Sequence, residues 1–302
     1  MLIVGGSGFI GRHLVRAAIE NHYRPTVLSL HQVEKIAQID GADYLVADIS
    51  NYPVLADVLA GRKFSHVVNL GGYVDHASYH EGGVDVINTH FLGVQNLLRC
   101  SNWDCLESFI QIGSSDEYGN VTSPQFEAMR EAPISPYSLA KVAAGQLLQM
   151  LYRTDTLPAT VIRLFLVYGP EQNRQRFLPQ VIKGCLYGDS FATSFGEQVR
   201  DFCYIDDVVN GILSALSSSK AHGEIVNIAS GKPVKIRAII DKVVDSVGGG
   251  EPRFGEIPYR TGENMSLYAD ISKARELLGW EPKVNLDDGL ARTISFYRDR
   301  HE

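Results

Sequence analysis

Leu2-Ile3-Val4-Gly5-Gly6-Ser7-Gly8-Phe9-Ile10-Gly11 is the stretch on which the fold turns. Met1 to Val4 is an apolar run that reads as a strand. Arg12 to Asn21 sets Leu14, Val15, Ala18 and Ile19 at helical spacing. Glycines between a strand and a helix point to a dinucleotide-binding turn, which the same glycines elsewhere would not. Gly5 permits a tight turn, Gly8 lets backbone approach a pyrophosphate, and Gly11 lets the helix pack close. The helix N-terminus then faces the phosphates with unpaired N–H groups, and Phe9 and Ile10 are expected at the cofactor. The spacing is GxxGxxG, not the commoner GxGxxG.

Further strand and helix patterns alternate outward from this turn. Pro25 to Leu30 reads as a second strand, whose end faces the adenosine ribose in such folds. Enzymes that prefer NAD usually carry an acid there, whereas this chain has Ser29-Leu30-His31 and no carboxylate until Glu34. Nothing at Ser29 repels a 2′-phosphate, and Arg12, His31 or Lys35 can offer it a positive partner. NADP is therefore slightly favoured over NAD. Tyr44 to Ile49 is a third strand, placing Asp48 and Ile49 against the adenine. Val67 to Leu70 is a fourth, and Leu70 and Gly71 let backbone lie against the cofactor.

Phe109 to Ile112 is a fifth strand, followed by Gly113-Ser114-Ser115-Asp116-Glu117-Tyr118-Gly119. Ligands of open parallel sheets bind beyond the carboxyl ends of strands, where Ser114 can reach a substrate oxygen. Isolated from that context, a Ser-Ser-Asp turn reads as a helix cap. Ser135-Pro136-Tyr137-Ser138-Leu139-Ala140-Lys141 opens the next helix, with Tyr137 and Lys141 one turn apart on one face. A phenol titrates near pH ~10, and a neighbouring ammonium is expected to lower that value towards useful proton transfer. His76, His80 and His90 invite a metal reading, but no third ligand has suitable spacing, and no metal is expected.

The 302 residues, 45% hydrophobic, can bury a large core. With 28 basic and 35 acidic residues the net charge is −7, which argues against nucleic acid as a partner. Cys100, Cys105, Cys185 and Cys203 form no CxxC pair and read as reduced thiols. No run reaches the ~20 apolar residues of a membrane span, so a cytoplasmic location without membrane contact is expected.

Gly5/Gly8/Gly11, Ser114, Tyr137 and Lys141 together resemble the extended short-chain dehydrogenase/reductase family. More narrowly, they are similar to its nucleotide-sugar epimerase/dehydratase branch. Arg163-Leu164-Phe165-Leu166-Val167-Tyr168-Gly169-Pro170, Arg200-Asp201-Phe202-Cys203-Tyr204-Ile205-Asp206-Asp207 and Ala269-Asp270-Ile271-Ser272 through Trp280 carry the resemblance to the end. It implies that Tyr137 is the acid/base, that Lys141 bonds the nicotinamide ribose, and that Ser114 holds the sugar C4 oxygen. It further implies Arg200 and Arg260 as diphosphate clamps, with Ser115, Asp116, Phe177 and Leu178 at the substrate. Two departures narrow the subtype. Leu166 stands where the family usually has Asn, and Asp116 where 4,6-dehydratases carry a longer Glu. The Ser-Ser-acid-Glu-Tyr-Gly run is similar to that of 4-keto-6-deoxy-sugar 4-reductases.

The expected architecture is α/β: a Rossmann-type doubly wound parallel sheet with a smaller C-terminal α/β substrate domain. Residues 1–168 form the dinucleotide-binding part and 169–302 the substrate part, with segments around 199–229 returning to the sheet. The expected activity is NAD(P)-dependent reduction at C4 of a 4-keto-6-deoxy-hexose linked to a nucleotide diphosphate. A 4-epimerase is the alternative; a 4,6-dehydratase or a non-catalytic dinucleotide-binding regulator stands further off. Apolar surface on Val84–Cys100 and Tyr137–Tyr152 exceeds what one sheet face covers, which implies a homodimer.

Overall fold

The computed structural model describes residues 1–259 and 263–300. In chain order, β1 (Leu2–Val4) leads through the glycine turn into α1 (Phe9–Glu20), then β2 (Thr26–Ser29), β3 (Asp43–Val46), α2 (Tyr52–Leu59) and β4 (His66–Asn69). A long helix follows in three joined parts: α3 (Gly83–Ile87), a π-helical turn (Asn88–Leu92) and α4 (Gly93–Cys100). Next come β5 (Ser108–Ser114), α5 (Pro136–Asp155), β6 (Ala159–Leu164) and β7 (Leu166–Tyr168). The second half holds α6 (Phe177–Tyr187), β8 (Ser190–Thr193), β9 (Val199–Tyr204), α7 (Ile205–Leu216) and β10 (Ile225–Ile228). It ends with β11 (Pro233–Lys235), α8 (Ile236–Val247), β12 (Glu251–Phe254), β13 (Ser266–Leu267), α9 (Ser272–Leu278) and α10 (Leu286–Arg298).

Seven strands form one parallel sheet in the order β10-β6-β5-β4-β1-β2-β3. Every residue of β1, β6 and β10 is buried, as strands covered by helices on both faces must be. The chain runs outward from β1 to β2 and β3, then returns to β4 on the other side, so the topology reverses between β1 and β4. That reversal opens a crevice at the carboxyl ends of these two strands. Of the segment 199–229, β10 joins the large sheet and α7 packs on α1 and β5. β9 instead pairs with β7, β11 and β13 in a second, smaller sheet.

Local chemistry sets the helix starts. Ser135 accepts from the Ser138 N–H while the Ser138 hydroxyl accepts from the Ser135 N–H, and Pro136 occupies the first helical position of α5. α1 begins at Phe9, three residues ahead of the expected Arg12, and no side chain caps it. Gly11 makes its approach possible, since a Cβ there would lie 2.4 Å from the Gly5 carbonyl oxygen. One apolar core joins α1 (Leu14, Val15, Ala18) to α7 (Val208, Ile212), α8 (Ile239, Ile240), Trp280 and α10 (Leu290) without interruption. A second core fills the opposite sheet face with Leu55, Val94, Leu97 and Leu148. Trp280 donates to the Asp207 carbonyl at 3.0 Å, which ties the C-terminal segment to α7. No helix among the described residues is long and apolar enough to cross a membrane.

Candidate active site

The crevice between β1 and β4 is built by glycine. Gly5 has φ +72°, and a Cβ on it would lie 3.0 Å from the Leu70 carbonyl carbon. A Cβ on Gly71 would lie 2.8 Å from Val4. The two strand ends can therefore close on one another only as bare backbone. Phe9 and Ile10 open α1 at the floor of this crevice with no side-chain cap, while the Gly8 amide donates to the Gly5 carbonyl at 3.0 Å. A dinucleotide pyrophosphate fits a cradle of this kind. Ser29, at the end of β2, donates its hydroxyl to the Ser7 hydroxyl at 3.0 Å, and His31 beyond it is exposed. Asp48 is exposed and accepts from the amide and hydroxyl of Ser50, at 2.8 and 2.7 Å. Ile49 is buried against Gly93, where a Cβ would fall 2.7 Å from it.

One expected cation is otherwise engaged. The Arg12 guanidinium pairs with Glu171 at 2.8 Å and donates to the Ala37 carbonyl at 2.8 Å. A carboxylate already in place competes with any 2′-phosphate for Arg12. His31 and Lys35, which follow β2, are both exposed.

Ser114 closes β5, and a buried ion pair holds its backbone. Glu117 accepts from the Ser114 amide at 2.8 Å and, through its other oxygen, from Arg163 Nε at 2.7 Å. Both side chains of the pair are fully buried, and Arg163 also donates to Glu131 at 2.7 Å. Gly113 leaves the room, since a Cβ there would meet the Glu117 carboxylate at 2.3 Å. The Ser114 hydroxyl accepts from the Asp116 amide at 3.1 Å and lies near enough to the Tyr137 phenol to favour its ionised form. Ser115 is buried, while Asp116 stays partly open.

Tyr137 and Lys141 reach the same place from α5. Tyr137 is 5% exposed, and its ring stands edge-on to His76 at 5.9 Å and to His90 at 4.9 Å. Burial raises the phenol above its ordinary range, and the negative charge of Asp116 adds to that. The expected lowering by Lys141 is thus overturned within the protein itself: desolvation wins. Lys141 lies 5.7 Å from the centre of the Tyr137 ring and donates to the Ile112 carbonyl at 2.8 Å. Its own burial brings its ammonium down to about 8, against a rise from Glu117.

The proposed substrate side is less complete. Phe177 opens α6 half-buried, and its ring lies 6.3 Å from that of Phe202. Leu178 is 2% exposed, so its side chain belongs to the core, and at most its backbone could face a ligand. Arg200 sits in β9 between Val234 and Leu267, donates to the Val199 carbonyl at 2.9 Å and pairs with Glu263. Arg260 lies outside the described residues. Leu166, on β7, is 38% exposed.

Three participants escaped the sequence reading of the site. Glu117 and Arg163 are 46 positions apart, and only the pairing of β5 with β6 brings them together. His90 sits in the π-helical turn, 3% exposed, and donates Nε2–H to the Tyr73 carbonyl at 2.8 Å. Its Nδ1 is then a buried acceptor without a partner. Burial and the charge of Lys141 bring His90 down to about 3. Among the described residues no group of three His, Cys, Asp or Glu could hold a metal ion.

Comparison with known proteins agrees with this geometry. Residues 1–229 match the profile of the NAD dependent epimerase/dehydratase family. The UDP-glucuronate 4-epimerase of Thermodesulfobacterium geofontis is 26% identical, over 100% of this chain and 97% of its own. The UDP-glucose 4-epimerase of Thermotoga maritima, solved with UDP-glucose, superposes with a TM-score of 0.87 at 28% identity, covering 100% of this chain and 99% of that one. The dTDP-glucose 4,6-dehydratase of Streptomyces venezuelae, solved with NAD bound, gives a TM-score of 0.88 at 26% identity, over 99% and 97%.

The state of His90 has a measurable consequence. An unfolded histidine takes up its proton near pH ~6.5, while in the fold this one waits until about 3. The folded value is the lower, so the unfolded chain binds the extra proton, and stability is lost as pH falls from 6.5 towards 3. Urea unfolding should therefore steepen with falling pH in the wild type relative to His90→Asn between pH 6 and 4. The difference should be about 1.4 kcal/mol per pH unit, the value of one proton. Equal slopes in the two proteins would contradict a neutral, buried His90.

Proposed function

The chain belongs to the NAD dependent epimerase/dehydratase family, and from that premise we propose that it is a reductase. Its substrate is a nucleotide-linked 4-keto-6-deoxy-hexose and its product the 4-hydroxy sugar. The observation that carries the reading is the buried Tyr137 phenol beside Ser114 at the carboxyl end of β5. A phenol raised by burial stays protonated at neutral pH, which suits a group that gives a proton to a developing alkoxide. Ser114 shares the oxygen, its amide fixed by Glu117. The nicotinamide, when bound, supplies the hydride. Gly5, Gly8, Phe9, Ile10, Gly11, Leu70 and Gly71 would hold the dinucleotide backbone, Ser29, His31, Asp48 and Ile49 its adenosine end, and Tyr137 and Lys141 its nicotinamide ribose. Ser115, Asp116, Phe177, Leu178, Arg200 and Arg260 would line the sugar nucleotide.

Asp116, one methylene shorter than glutamate, weighs against loss of water across C5 and C6. A 4-epimerase remains the second reading, because two full-length relatives are named as 4-epimerases. Incubation with NADPH and a set of 4-keto-6-deoxy nucleotide sugars separates the two. The reductase consumes one NADPH per sugar; interconversion of two 4-hydroxy sugars with no added cofactor would show the epimerase. In the reductase assay Tyr137→Phe should lower turnover by about 10²–10⁴-fold with cofactor affinity little changed. Turnover near wild type would remove the phenol from the mechanism.

NADPH is the favoured donor because Ser29, not a carboxylate, ends β2. Ser29→Asp should move preference towards NADH by about 1–3 kcal/mol, the scale of one hydrogen bond to a charged group. An unchanged preference would place the 2′-hydroxyl elsewhere.

The enzyme is further proposed to be a two-fold dimer through α3–α4 and α5, where Val84, Leu92, Leu139, Met150 and Tyr152 expose 37–51% of their surface. Sedimentation at micromolar concentration should give twice the chain mass of 33.3 kDa, and a monomer would contradict it.

A further inference from the structure

A carboxylate from the second half of the chain reaches the first helix. Glu171 follows β7 in a left-handed conformation, φ +66°, which residues other than glycine adopt infrequently. Its neighbours are pinned on either side: the Pro170 carbonyl lies 3.0 Å from His13 Nε2, and Gln172 donates to the Val167 carbonyl at 2.8 Å. The side chain is thereby delivered to α1, where one oxygen takes Arg12 Nε and the other Arg16 Nη2, both at 2.8 Å. Burial opposes the charge, yet the two guanidinium groups hold the Glu171 carboxyl below its ordinary range, so it is ionised at neutral pH. Arg12 also donates to the Ala37 carbonyl, on the segment after β2, the strand whose end faces the adenosine ribose. Around these groups a cavity of about 310 Å³ is lined by four arginines, Arg12, Arg16, Arg174 and Arg300, and by one carboxylate, that of Glu171.

We propose that Glu171 sets the choice between NADPH and NADH, as the counter-ion that leaves Arg12 only partly available to a 2′-phosphate. The inference rests on the placement of the adenosine end at β2 and deepens it by naming the residue that tunes it. One carboxylate shared by two guanidinium groups leaves one positive charge over on α1. That excess admits a phosphate dianion without demanding it, because Glu171 repels the dianion as the arginines attract it. Both cofactors are then accepted, with NADPH ahead by a small margin. With Glu171 neutral, two unbalanced guanidinium groups would face the 2′-phosphate, while the 2′-hydroxyl of NADH would gain little. A Glu171 that only held its loop in place would act on both cofactors alike.

The test is binding, with no sugar present. Dissociation constants of the full chain are measured for NADPH and NADH, and for adenosine 2′,5′-bisphosphate and 5′-AMP, pairs that differ only in the 2′-phosphate. Glu171→Gln should move both ratios towards the phosphate-bearing member by about tenfold or more, while Glu171→Asp, which keeps the charge, should stay within about threefold of wild type. Arg12→Met alone should lower both ratios by about tenfold, and in that background most of the gain from Glu171→Gln should vanish. Ratios unmoved by Glu171→Gln or by Arg12→Met, or a gain undiminished without Arg12, overturn the proposal. A wild type that favours NADPH with ratios unmoved by Glu171→Gln overturns this inference alone. A wild type that favours NADH, with ratios that move as stated, upholds it and overturns the NADPH preference instead.

Discussion

The buried pair of Glu117 and Arg163 is the interaction on which the site depends. One carboxylate oxygen fixes the Ser114 amide, and the other is fixed by a guanidinium with no exposed surface. Two charges taken out of water gain stability only when geometry and hydrogen bonds are both good. Here Gly113 clears the space, Glu131 takes a second guanidinium N–H, and the guanidinium carbon lies 4.5 Å over the Tyr118 ring. Tyr118 then donates to Asn227 of β10 at 2.8 Å. The turn after β5 is thereby tied to β6 and to the outermost strand of the sheet. Removing either charge would strand the other, at roughly 3–5 kcal/mol.

Rigidity of that turn matters because the chemistry beside it is a matter of proton positions. Tyr137 keeps its proton because it is buried, and Lys141 is held by a carbonyl at the end of the same strand. His90, packed edge-on against the Tyr137 ring, stays neutral. Among the described residues, the imidazole that stands openly accessible against the phenol ring is that of His76, on the side where Asp116 also opens. One wall of the pocket is dry and fixed; the other is polar and reachable.

Much of this was legible in the residue order, for reasons that differ by element. The strand–glycine–helix opening could be read because the constraint is local: Gly5 and Gly11 are demanded by backbone within a few residues or on the adjoining strand end. Ser114, Tyr137 and Lys141 could be read because each lies at the end of a strand or within the first two turns of a helix. What escaped was long-range or context-bound. The pairing of Glu117 with Arg163, and of Arg12 with Glu171, depends on which strands become neighbours. The π-helical turn that buries His90 leaves no mark in the apolar spacing of 84–100, which reads as one continuous helix. The direction of the Tyr137 shift was misjudged because spacing reveals a nearby lysine but not how deeply the phenol is buried.

The most direct test of the central claim follows the hydride itself. NADPH deuterated at the transferable position of nicotinamide C4 is supplied with a 4-keto-6-deoxy nucleotide sugar, and the product is read by mass and NMR. The account predicts one deuterium per product sugar, at C4, with one NADPH consumed for each. A product without the label, formed while the protein keeps a tightly bound NAD, would contradict it.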